Sequence, residues 1–403
     1  MEQRDPPGRW RLLALLSGAQ LLGMALWFTA SAVSPQLAAL WGLSAAQAGW
    51  LTTMVQIGFV AGTAAAALLN LADLVPDRAY FTGAVLLGAA ANAALLVAPG
   101  YEAALVLRFL TGFFLAGVYP PAMKMVATWF RSGRGLAIGT LVGALTIGKA
   151  TPFLVLAFTQ ASVVAVVGIA SAGAVAAGGL VWVGYRAGPF PFQRRPFSWR
   201  LVGTVLGHRP TRLAIYGYLG HMWELYAAWA AWGLFFLAFF SARGWADATL
   251  AAGLATFAAI AAGGAGSAVA GHWADRWGRE RVASLAMAVS GTCALLVGWL
   301  MYAPTFLVVT LVVVWGVTVV ADSAQFSALV TEVAPQHAVG TALTLQTSLG
   351  FALTAVSIWL VVALAGSFGW GTAFSVLAIG PALGIWAMVR LARLRAGTDH
   401  GPP

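Results

Sequence analysis

Two residues able to exchange protons interrupt an apolar and aromatic segment, GYLGHMWELY at 217–226. His221 and Glu224 are three positions apart, so a helix would present them on one face. Gly217 and Gly220 lie on or near that face and would let another helix approach closely. The pair is therefore a candidate proton carrier. The alternatives are a histidine that hydrogen-bonds across packed helices and a glutamate held by an arginine or a lysine in a fixed ion pair.

The composition indicates what surrounds this segment. Of the 403 residues, 61% are hydrophobic and 8% are charged, and the mean hydropathy is +0.85. A soluble domain carries roughly 25% charged residues, so this chain has too few to cover a water-exposed surface. The net charge of +10 lies in short basic segments between long apolar runs, which is typical of membrane topology. We therefore expect a multi-pass membrane protein whose partner is the lipid bilayer, with no nucleic-acid partner.

Twelve apolar segments are long enough to cross a bilayer, which takes ~20 residues in a helix. They cover 12–34, 46–70, 79–98, 102–127, 134–158, 162–185, 212–240, 249–270, 282–302, 305–330, 339–365 and 370–391. The longest interruption, at 186–211, is basic and rich in proline. We predict an all-α integral membrane protein with two pseudo-symmetric six-helix bundles, over 1–185 and 212–403, joined by a cytoplasmic linker at 186–211.

Basic residues in the predicted loops indicate the orientation. With the N-terminus inside, the inner loops contain Arg78, Arg131, Arg134 and the clusters at 186–212 and 276–281. The outer loops contain only one basic residue, in the loop after the seventh span. Because an excess of Lys and Arg marks cytoplasmic loops, we predict that both termini lie in the cytoplasm.

Few charged or imidazole side chains fall within the predicted spans rather than at their edges. They are Arg108, Lys124, Lys149, His221, Glu224 and Asp322. A charge at such a depth costs at least ~2.5–3.5 kcal/mol and usually faces the protein interior. At ~1.5 Å per helical residue, His221 and Glu224 lie roughly 13 and 18 Å into their span, near its middle. We predict that Glu224, Asp322 and His221 handle protons, and that Arg108 and Lys149 contact the substrate.

Polar and aromatic residues on the same set of spans extend this candidate site. Trp27 and Gln56 lie on spans 1 and 2, Gln325 follows Asp322 by three positions, and Gln346 lies on span 11. Single polar residues in membrane helices usually bond neighbouring helices. As a set they suit a hydrogen-bonding cavity with aromatic walls, and we predict that Trp27, Gln56, Gln325 and Gln346 line it.

The two halves of the chain repeat each other. LNLADLVPDR at 69–78 matches GHWADRWGRER at 271–281, and RGLAIGTLVGALTIG at 134–148 matches HAVGTALTLQTSLG at 337–350. Six-helix repeats around a central linker are typical of secondary transporters. With RFLTG at 108–112, these motifs resemble those of the major facilitator superfamily, and the resemblance extends over essentially the whole chain.

The resemblance implies twelve transmembrane helices, with spans 1, 4, 7 and 10 lining a central cavity and spans 2, 5, 8 and 11 beside them. It also implies a cytoplasmic gate, in which arginine guanidinium groups form ion pairs with carboxylates in one conformation, and these ion pairs break in another. The residues that match this gate motif are Gly271, Asp275, Arg276, Gly278, Arg279 and Arg281, with Asp73 and Arg78 in the first half. The first-half copy has Leu69 and Pro76 at the glycine positions.

Two further segments are similar to those of bacterial members labelled nitrate/nitrite or cyanate porters, namely GYLGHMWELY and YPPAMKMVATWFRSGRGLAIG at 119–139. This similarity implies the cytoplasmic (inner) membrane of a bacterium. Nitrate porters have an arginine in span 2 and another in span 8, but the predicted spans 46–70 and 249–270 contain no charged residue. GALTIGKATP at 143–152 lacks the Gly-Pro pair of drug antiporters. The sequence therefore favours neither nitrate nor drug transport.

We expect a secondary active transporter that moves a small organic anion, coupled to protons, by alternating access. One alternative is a proton-driven efflux pump for amphipathic or cationic compounds, with Glu224 and Asp322 as the attracting acids. Another is a membrane receptor or assembly factor that transports nothing. The sequence has no Gly-Lys-Ser/Thr phosphate loop and no Cys/His metal cluster. We therefore expect a protein that is not an enzyme, with no cofactor, no metal and no catalytic residues. We also expect it to be a monomer.

Overall fold

A computed structural model of the chain describes residues 6–69, 71–131, 133–159, 162–190 and 198–398, without the side chains of residues 72, 73, 134, 135, 268, 275, 397 and 398. All regular secondary structure within these ranges is helical, which confirms the predicted all-α fold. The membrane explains this preference. A bilayer offers no water to backbone N–H and C=O groups, and a helix satisfies them within one segment.

The chain folds into two compact units. The first consists of Met1–Arg194 and Trp229–Gly264, and the second of Arg195–Ala228 and Ala265–Pro403. The predicted bundle boundary at 186–211 stays a prediction, and residues 191–197 of that linker lie outside the described residues.

Within the described residues, the first unit contains ten α-helices and parts of two more. The ten are α1 (Arg9–Met24), α2 (Thr29–Ala32), α3 (Ser34–Trp41), α4 (Ala45–Leu68), α5 (Leu71–Leu74), α6 (Asp77–Ala93), α7 (Tyr101–Leu115), α8 (Tyr119–Ala127), α9 (Arg134–Phe158) and α10 (Val163–Gly184). The later part of the helix Arg209–Ser241 and the earlier part of the helix Ala248–Trp277 also belong to this unit. Glycines let α4 and α7 approach closely, since Gly58 lies against the carbonyl of Phe109 and Gly112 against that of Val55. α1 packs against α9 and α10.

The second unit contains the remaining helices. They are α11 (Trp199–Gly207), α12 (Arg209–Ser241, in part), α13 (Ala248–Trp277, in part), α14 (Arg279–Val297), α15 (Thr305–Ala321), α16 (Ser323–Val333), α17 (Val339–Ser375) and α18 (Ile379–Thr398). The predicted close approach to α12 is confirmed. Gly220 lies against Gly380 and Gly384 of α18, and Gly217 lies against Met388 of the same helix.

Ten ranges of the described helices are long and apolar enough to cross a membrane. The last, Gln336–Ala396, contains the two predicted spans 339–365 and 370–391, and the backbone of α17 leaves helical geometry between them at Gly369, where φ is +78°. The predicted span 12–34 falls on α1, α2 and the start of α3, none of which is long enough alone. The chain is a multi-pass membrane protein, and the count of twelve transmembrane helices stays a prediction.

Three of the four spans expected to line a cavity are interrupted well inside their length. Residues 25–28 separate α1 from α2, residues 116–118 separate α7 from α8, and Asp322 separates α15 from α16. Pro120 and Pro121 explain the second break, because proline has no N–H for the carbonyl one turn earlier. Such breaks free backbone polar groups, which a membrane protein tolerates where protein partners or a cavity satisfy them.

Candidate functional site

A carboxylate, an imidazole and a hydroxyl form a chain of short contacts in the second unit. Asp322 Oδ1 lies 2.8 Å from His221 Nδ1, and Ser323 Oγ lies 2.8 Å from His221 Nε2. The side chains of Asp322 and His221 are at most 2% exposed. The contact brings the carboxylate and the ring nitrogen to ion-pair distance, so the attraction between Asp322 and His221 depends on the charges that the two groups carry.

Aromatic rings pack around this imidazole. The ring centroid of His221 lies 5.5 Å from that of Phe326 and 6.0 Å from that of Tyr218. Such packing holds the ring in one orientation, with Nδ1 toward Asp322 and Nε2 toward Ser323. This geometry suits both roles considered from the sequence, a proton carrier and a histidine that links helices.

Glu224 lies one turn further along α12 and is 1% exposed. Trp315 Nε1 donates a hydrogen bond of 2.7 Å to Oε1, and Ser290 Oγ donates one of 2.8 Å to Oε2. Both donors are neutral, so they orient the carboxylate without cancelling its charge. These bonds are not the fixed pair with an arginine or a lysine that the sequence left open for Glu224.

Arg108 is fully buried on α7, in the first unit. Its Nη1 donates to Asn92 Oδ1 at 2.8 Å, and its Nη2 donates to the carbonyls of Leu26 and Trp27 at 3.1 and 2.7 Å. The two carbonyls belong to the break between α1 and α2. Arg108 thus supplies donors where the helical hydrogen bonds are interrupted, which favours a structural role over the predicted contact with substrate.

Lys149 is also buried in the first unit, on α9, with 1% of its surface exposed. Its Nζ lies 3.9 Å from the ring centroid of Trp27 and 5.8 Å from that of Trp229. An ammonium group over an indole face is stabilised by the ring quadrupole. In surroundings of low dielectric constant, such a cation also attracts an anionic group more strongly than it would in water.

Three buried glutamines have no hydrogen-bond partner for either amide atom among the described residues. They are Gln20 and Gln56 in the first unit and Gln346 in the second. The ring of Trp27 lies 5.0 Å from that of Phe59, one turn along α4 from Gln56. Because buried polar groups are normally hydrogen-bonded, these amides are candidates for contact with a solute or with water.

The remaining glutamine that was predicted to line the cavity, Gln325, belongs to an ionic network in the second unit. Arg279 donates from Nη1 to Gln325 Oε1 at 3.0 Å and from Nε to Glu332 Oε1 at 2.6 Å. Arg395 donates from Nη1 to Glu280 Oε1 at 2.8 Å and to Glu332 Oε2 at 3.2 Å. The network joins the start of α14 to α16 and α18.

The rest of the second-half gate motif surrounds the turn between α13 and α14. Gly278 forms this turn with φ of +88°, a conformation that favours glycine. Arg276 and Arg281 are exposed and Gly271 is partly exposed. The side chain of Asp275 lies outside the described residues. Among the side chains that the structure describes, Arg279 is the motif arginine in the ionic network.

The first-half copy of the motif has different contacts. Arg78 donates to the carbonyl of Trp182 at 3.4 Å, and its guanidinium lies 4.7 Å from the Trp182 ring centroid. Lys124 pairs with Asp77 at 2.9 Å, at the N-terminus of α6, where the helix dipole favours a negative charge. The side chain of Asp73 lies outside the described residues, so its predicted gate role stays a prediction.

The sequence did not assign a role to several partners of these groups. They are Asn92, Glu280, Ser290, Trp315, Ser323, Glu332 and Arg395. Asn92 and Ser290 are polar residues in the apolar spans 79–98 and 282–302, which is a signal that could have identified them. Trp315 gave no such signal, because tryptophan is frequent in this chain and common at membrane interfaces.

Replacing Arg395 by glutamine is expected to lower the free energy of unfolding by ~1–3 kcal/mol, mostly through Glu280, because exposed ion pairs contribute little. The side chain of Glu280 is 11% exposed, whereas those of Arg395 and Glu332 are 44% and 36% exposed. We expect the loss in Tm to shrink in about 1 M NaCl, where the Debye length is about 3 Å. Thermal unfolding of the purified protein at low and high salt measures this, with the exposed Arg393→Gln as control. A loss that is equal at both salt concentrations would show that Arg395 acts through packing and not through charge.

Comparison with known proteins agrees with this architecture. Residues 15–250, more than half of the chain, match the family model described as Major Facilitator Superfamily. No curated protein matches the chain significantly. A crystal structure of a variant of the nucleoside transporter NupG has a TM-score of 0.73 and 15% sequence identity, over 94% of this chain and 99% of that one.

A bacterial homologue of the human lysosomal transporter Spinster, crystallised in an inward-facing and unoccupied conformation, is also similar. Its TM-score is 0.68 at 14% sequence identity, and the match covers 96% of this chain and 95% of that one. At these identities the likeness shows the fold alone. The family match by itself establishes that the chain belongs to the major facilitator superfamily of transporters.

Proposed function

We propose that this protein moves a small organic anion, coupled to protons, by alternating access. The main support is the buried contact chain Asp322–His221–Ser323, with Glu224 one turn away on the same helix. We further propose that it works as a monomer in the cytoplasmic membrane of a bacterium, with both termini in the cytoplasm. The distribution of basic residues along the chain supports this orientation.

The proton-handling step is proposed for the second unit. A proton on Glu224, Asp322 or His221 changes the net charge of the cluster, and with it the attraction across the 2.8 Å contact between Asp322 and His221. Asp322 lies at the break between α15 and α16, so a change in this contact acts on a place where the helix is already interrupted. Differential proton binding by two conformations couples the proton to the conformational change.

The anion-binding step is proposed for Lys149 in the first unit. Its ammonium group is buried against Trp27, and an anionic group of the solute would contact Nζ. The terminal nitrogens of Arg108 bond Asn92 and two backbone carbonyls at a helix break, which favours a structural role for this residue. A buried cation at the substrate site also disfavours the alternative of a pump for cationic drugs.

Uptake of labelled mono- and dicarboxylates into proteoliposomes, with and without a pH gradient, tests this function. Replacing Lys149 by methionine is expected to weaken binding of a transported anion on the order of 100-fold, because truncating one partner of a buried charge pair costs ~2–5 kcal/mol. The variant should fold, since the change removes a buried charge. Thermal shift against the same anions measures affinity independently of transport.

Lys124→Met is the matched control, because Lys124 lies in the same unit but pairs with Asp77. It should leave the affinity for the anion unchanged. Lys149→Met protein that binds every transported anion as tightly as the native protein would exclude Lys149 from the site. Absence of flux for all solutes, together with a stable complex with another membrane protein, would favour the receptor or assembly role.

A neutral, hydrogen-bonding solute such as a nucleoside is the second candidate. The observation that favours it is the pair of buried amides, Gln20 and Gln56, that have no partner among the described residues. The aromatic pair Trp27 and Phe59 could stack on a planar base. A nucleoside transporter also shares the fold. In the same uptake assay, two results together would favour this candidate. The native protein would accumulate a nucleoside but no carboxylate, and the Gln56→Leu variant would lose the accumulation of the nucleoside.

A further inference from the structure

A basic cavity lies at the start of α12, beside α18, in the second unit. Its volume is about 530 Å³, including space open to solvent. It is lined by Arg209, Arg212, Leu213, Tyr216, Trp386 and Arg390. The α12 residues follow the spacing i, i+3, i+4, i+7 and the α18 residues are four apart, so each helix presents its contribution on one face.

The charges of this cavity have one sign. There is no carboxylate among the described residues that line it. Among the described residues, Arg209 and Arg390 form no ion pair, and Arg212 donates from Nη1 to the carbonyl of Leu206 at 2.8 Å. Three arginines around one cavity without a counter-charge make it a site for an anion, and guanidinium groups match the geometry of a phosphate.

An apolar stripe leads away from the arginines along α18. Ile379, Leu383 and Trp386 precede Arg390 at helical spacing, and their side chains are 52%, 60% and 50% exposed. Tyr216, 42% exposed, stands on the facing side of the cavity on α12. Amphipathic rings are typical of the level of lipid headgroups. A free anion would make no favourable contact with this apolar stripe, whereas the acyl chain of a lipid would pack along it.

From these features we infer that the cavity binds the phosphate group of an anionic membrane lipid. Arg209, Arg212 and Arg390 hold the phosphate, Tyr216 and Trp386 flank it, and an acyl chain follows the exposed face of α18. Basic pockets between transmembrane helices on the cytoplasmic side recognise lipid headgroups in this way. This inference is independent of the transported solute.

Reconstitution of the full-length protein in vesicles of phosphatidylcholine with and without phosphatidylglycerol tests it. Native mass spectrometry then counts the phosphatidylglycerol that remains bound after extraction. We expect the native protein to retain phosphatidylglycerol in preference to phosphatidylcholine. Arg209→Gln with Arg390→Gln should weaken this preference by roughly fivefold for each arginine removed. Both side chains are exposed, so the double variant should fold.

The control is Arg200→Gln with Arg393→Gln, which removes two exposed arginines of the same unit outside the cavity. It should retain the preference for phosphatidylglycerol. Equal retention by the cavity variant and the control would overturn the inference, as would a native protein with no preference between the two lipids. Displacement of phosphatidylglycerol by millimolar inorganic phosphate would show a site for free phosphate and would overturn the lipid assignment.

Discussion

Replacing Glu224 by glutamine is expected to abolish proton-driven accumulation of solute while leaving the protein folded. Glutamine has nearly the same shape, and its carbonyl oxygen can accept the hydrogen bond from Trp315 Nε1 as the carboxylate does. The hydroxyl of Ser290 can turn to accept from the amide that replaces its present acceptor. The change therefore removes the negative charge and the exchangeable proton but leaves the packing intact.

The measurement is the accumulation ratio in proteoliposomes under a gradient of one pH unit. Such a gradient supplies about 1.4 kcal/mol per proton, enough for a roughly tenfold ratio with one coupled proton. We expect a ratio near that value for the native protein and near one for Glu224→Gln, with passive exchange retained in both.

Ser290→Ala serves as the control, since it removes one hydrogen bond from the same carboxylate and keeps the acid. It should still accumulate solute. If Glu224→Gln accumulates solute as the native protein does, Glu224 does not carry the coupling proton. If the variant unfolds, the role of Glu224 is structural.

Replacing Arg108 by methionine is expected to destabilise the protein severely. The substitution leaves two buried acceptors without the donor that Arg108 supplies, namely the carbonyl of Trp27 and the side chain of Asn92. The carbonyl of Leu26 loses one of its two donors and keeps the Thr29 hydroxyl at 3.2 Å. Each unsatisfied buried group costs ~1–3 kcal/mol, so the total is at least ~2 kcal/mol before the relief from removing a buried charge. That is a large part of the ~5–15 kcal/mol by which proteins are stable.

Thermal unfolding of detergent-purified protein checks this expectation. Arg108→Lys should be intermediate, because an ammonium group keeps the charge but cannot span the same acceptors as the guanidinium fork. Arg393→Met, at an exposed position, should leave Tm unchanged. An unchanged Tm in Arg108→Met, combined with lost affinity for the anion, would instead support the substrate contact predicted from the sequence.

Sequence reasoning identified the buried ionisable residues but not their partners. A charge inside an apolar span is costly, so the positions of His221, Glu224 and Asp322 in the chain are enough to indicate a special role. That Asp322 meets His221, while Glu224 meets Ser290 and Trp315, depends on which faces of α12, α14 and α15 come together. The i, i+3 spacing of His221 and Glu224 did not reveal that they have separate sets of partners.

Gln325 shows a second kind of limit. Its spacing from Asp322 predicted a shared polar face toward a cavity, but its amide oxygen accepts from Arg279 of the gate motif. Asp322 caps α16 and Gln325 lies in its first turn, so the three-residue spacing holds within one helix. Spacing shows which residues share a region of the helix surface, but the packing of α14 beside α16 decides that Gln325 meets Arg279.

The amino-acid sequence by itself determined the membrane environment, the all-α fold, the family and the few ionisable groups inside the spans. Each of these follows from the length and hydropathy of continuous segments or from a local motif. Only the tertiary structure decided what those groups contact. Arg108 bonds the carbonyl of Leu26, 82 positions earlier, and His221 contacts Ser323, 102 positions later. A hydrogen bond requires its two atoms to lie within about 3 Å of each other, and that distance depends on how separate helices pack and where they break.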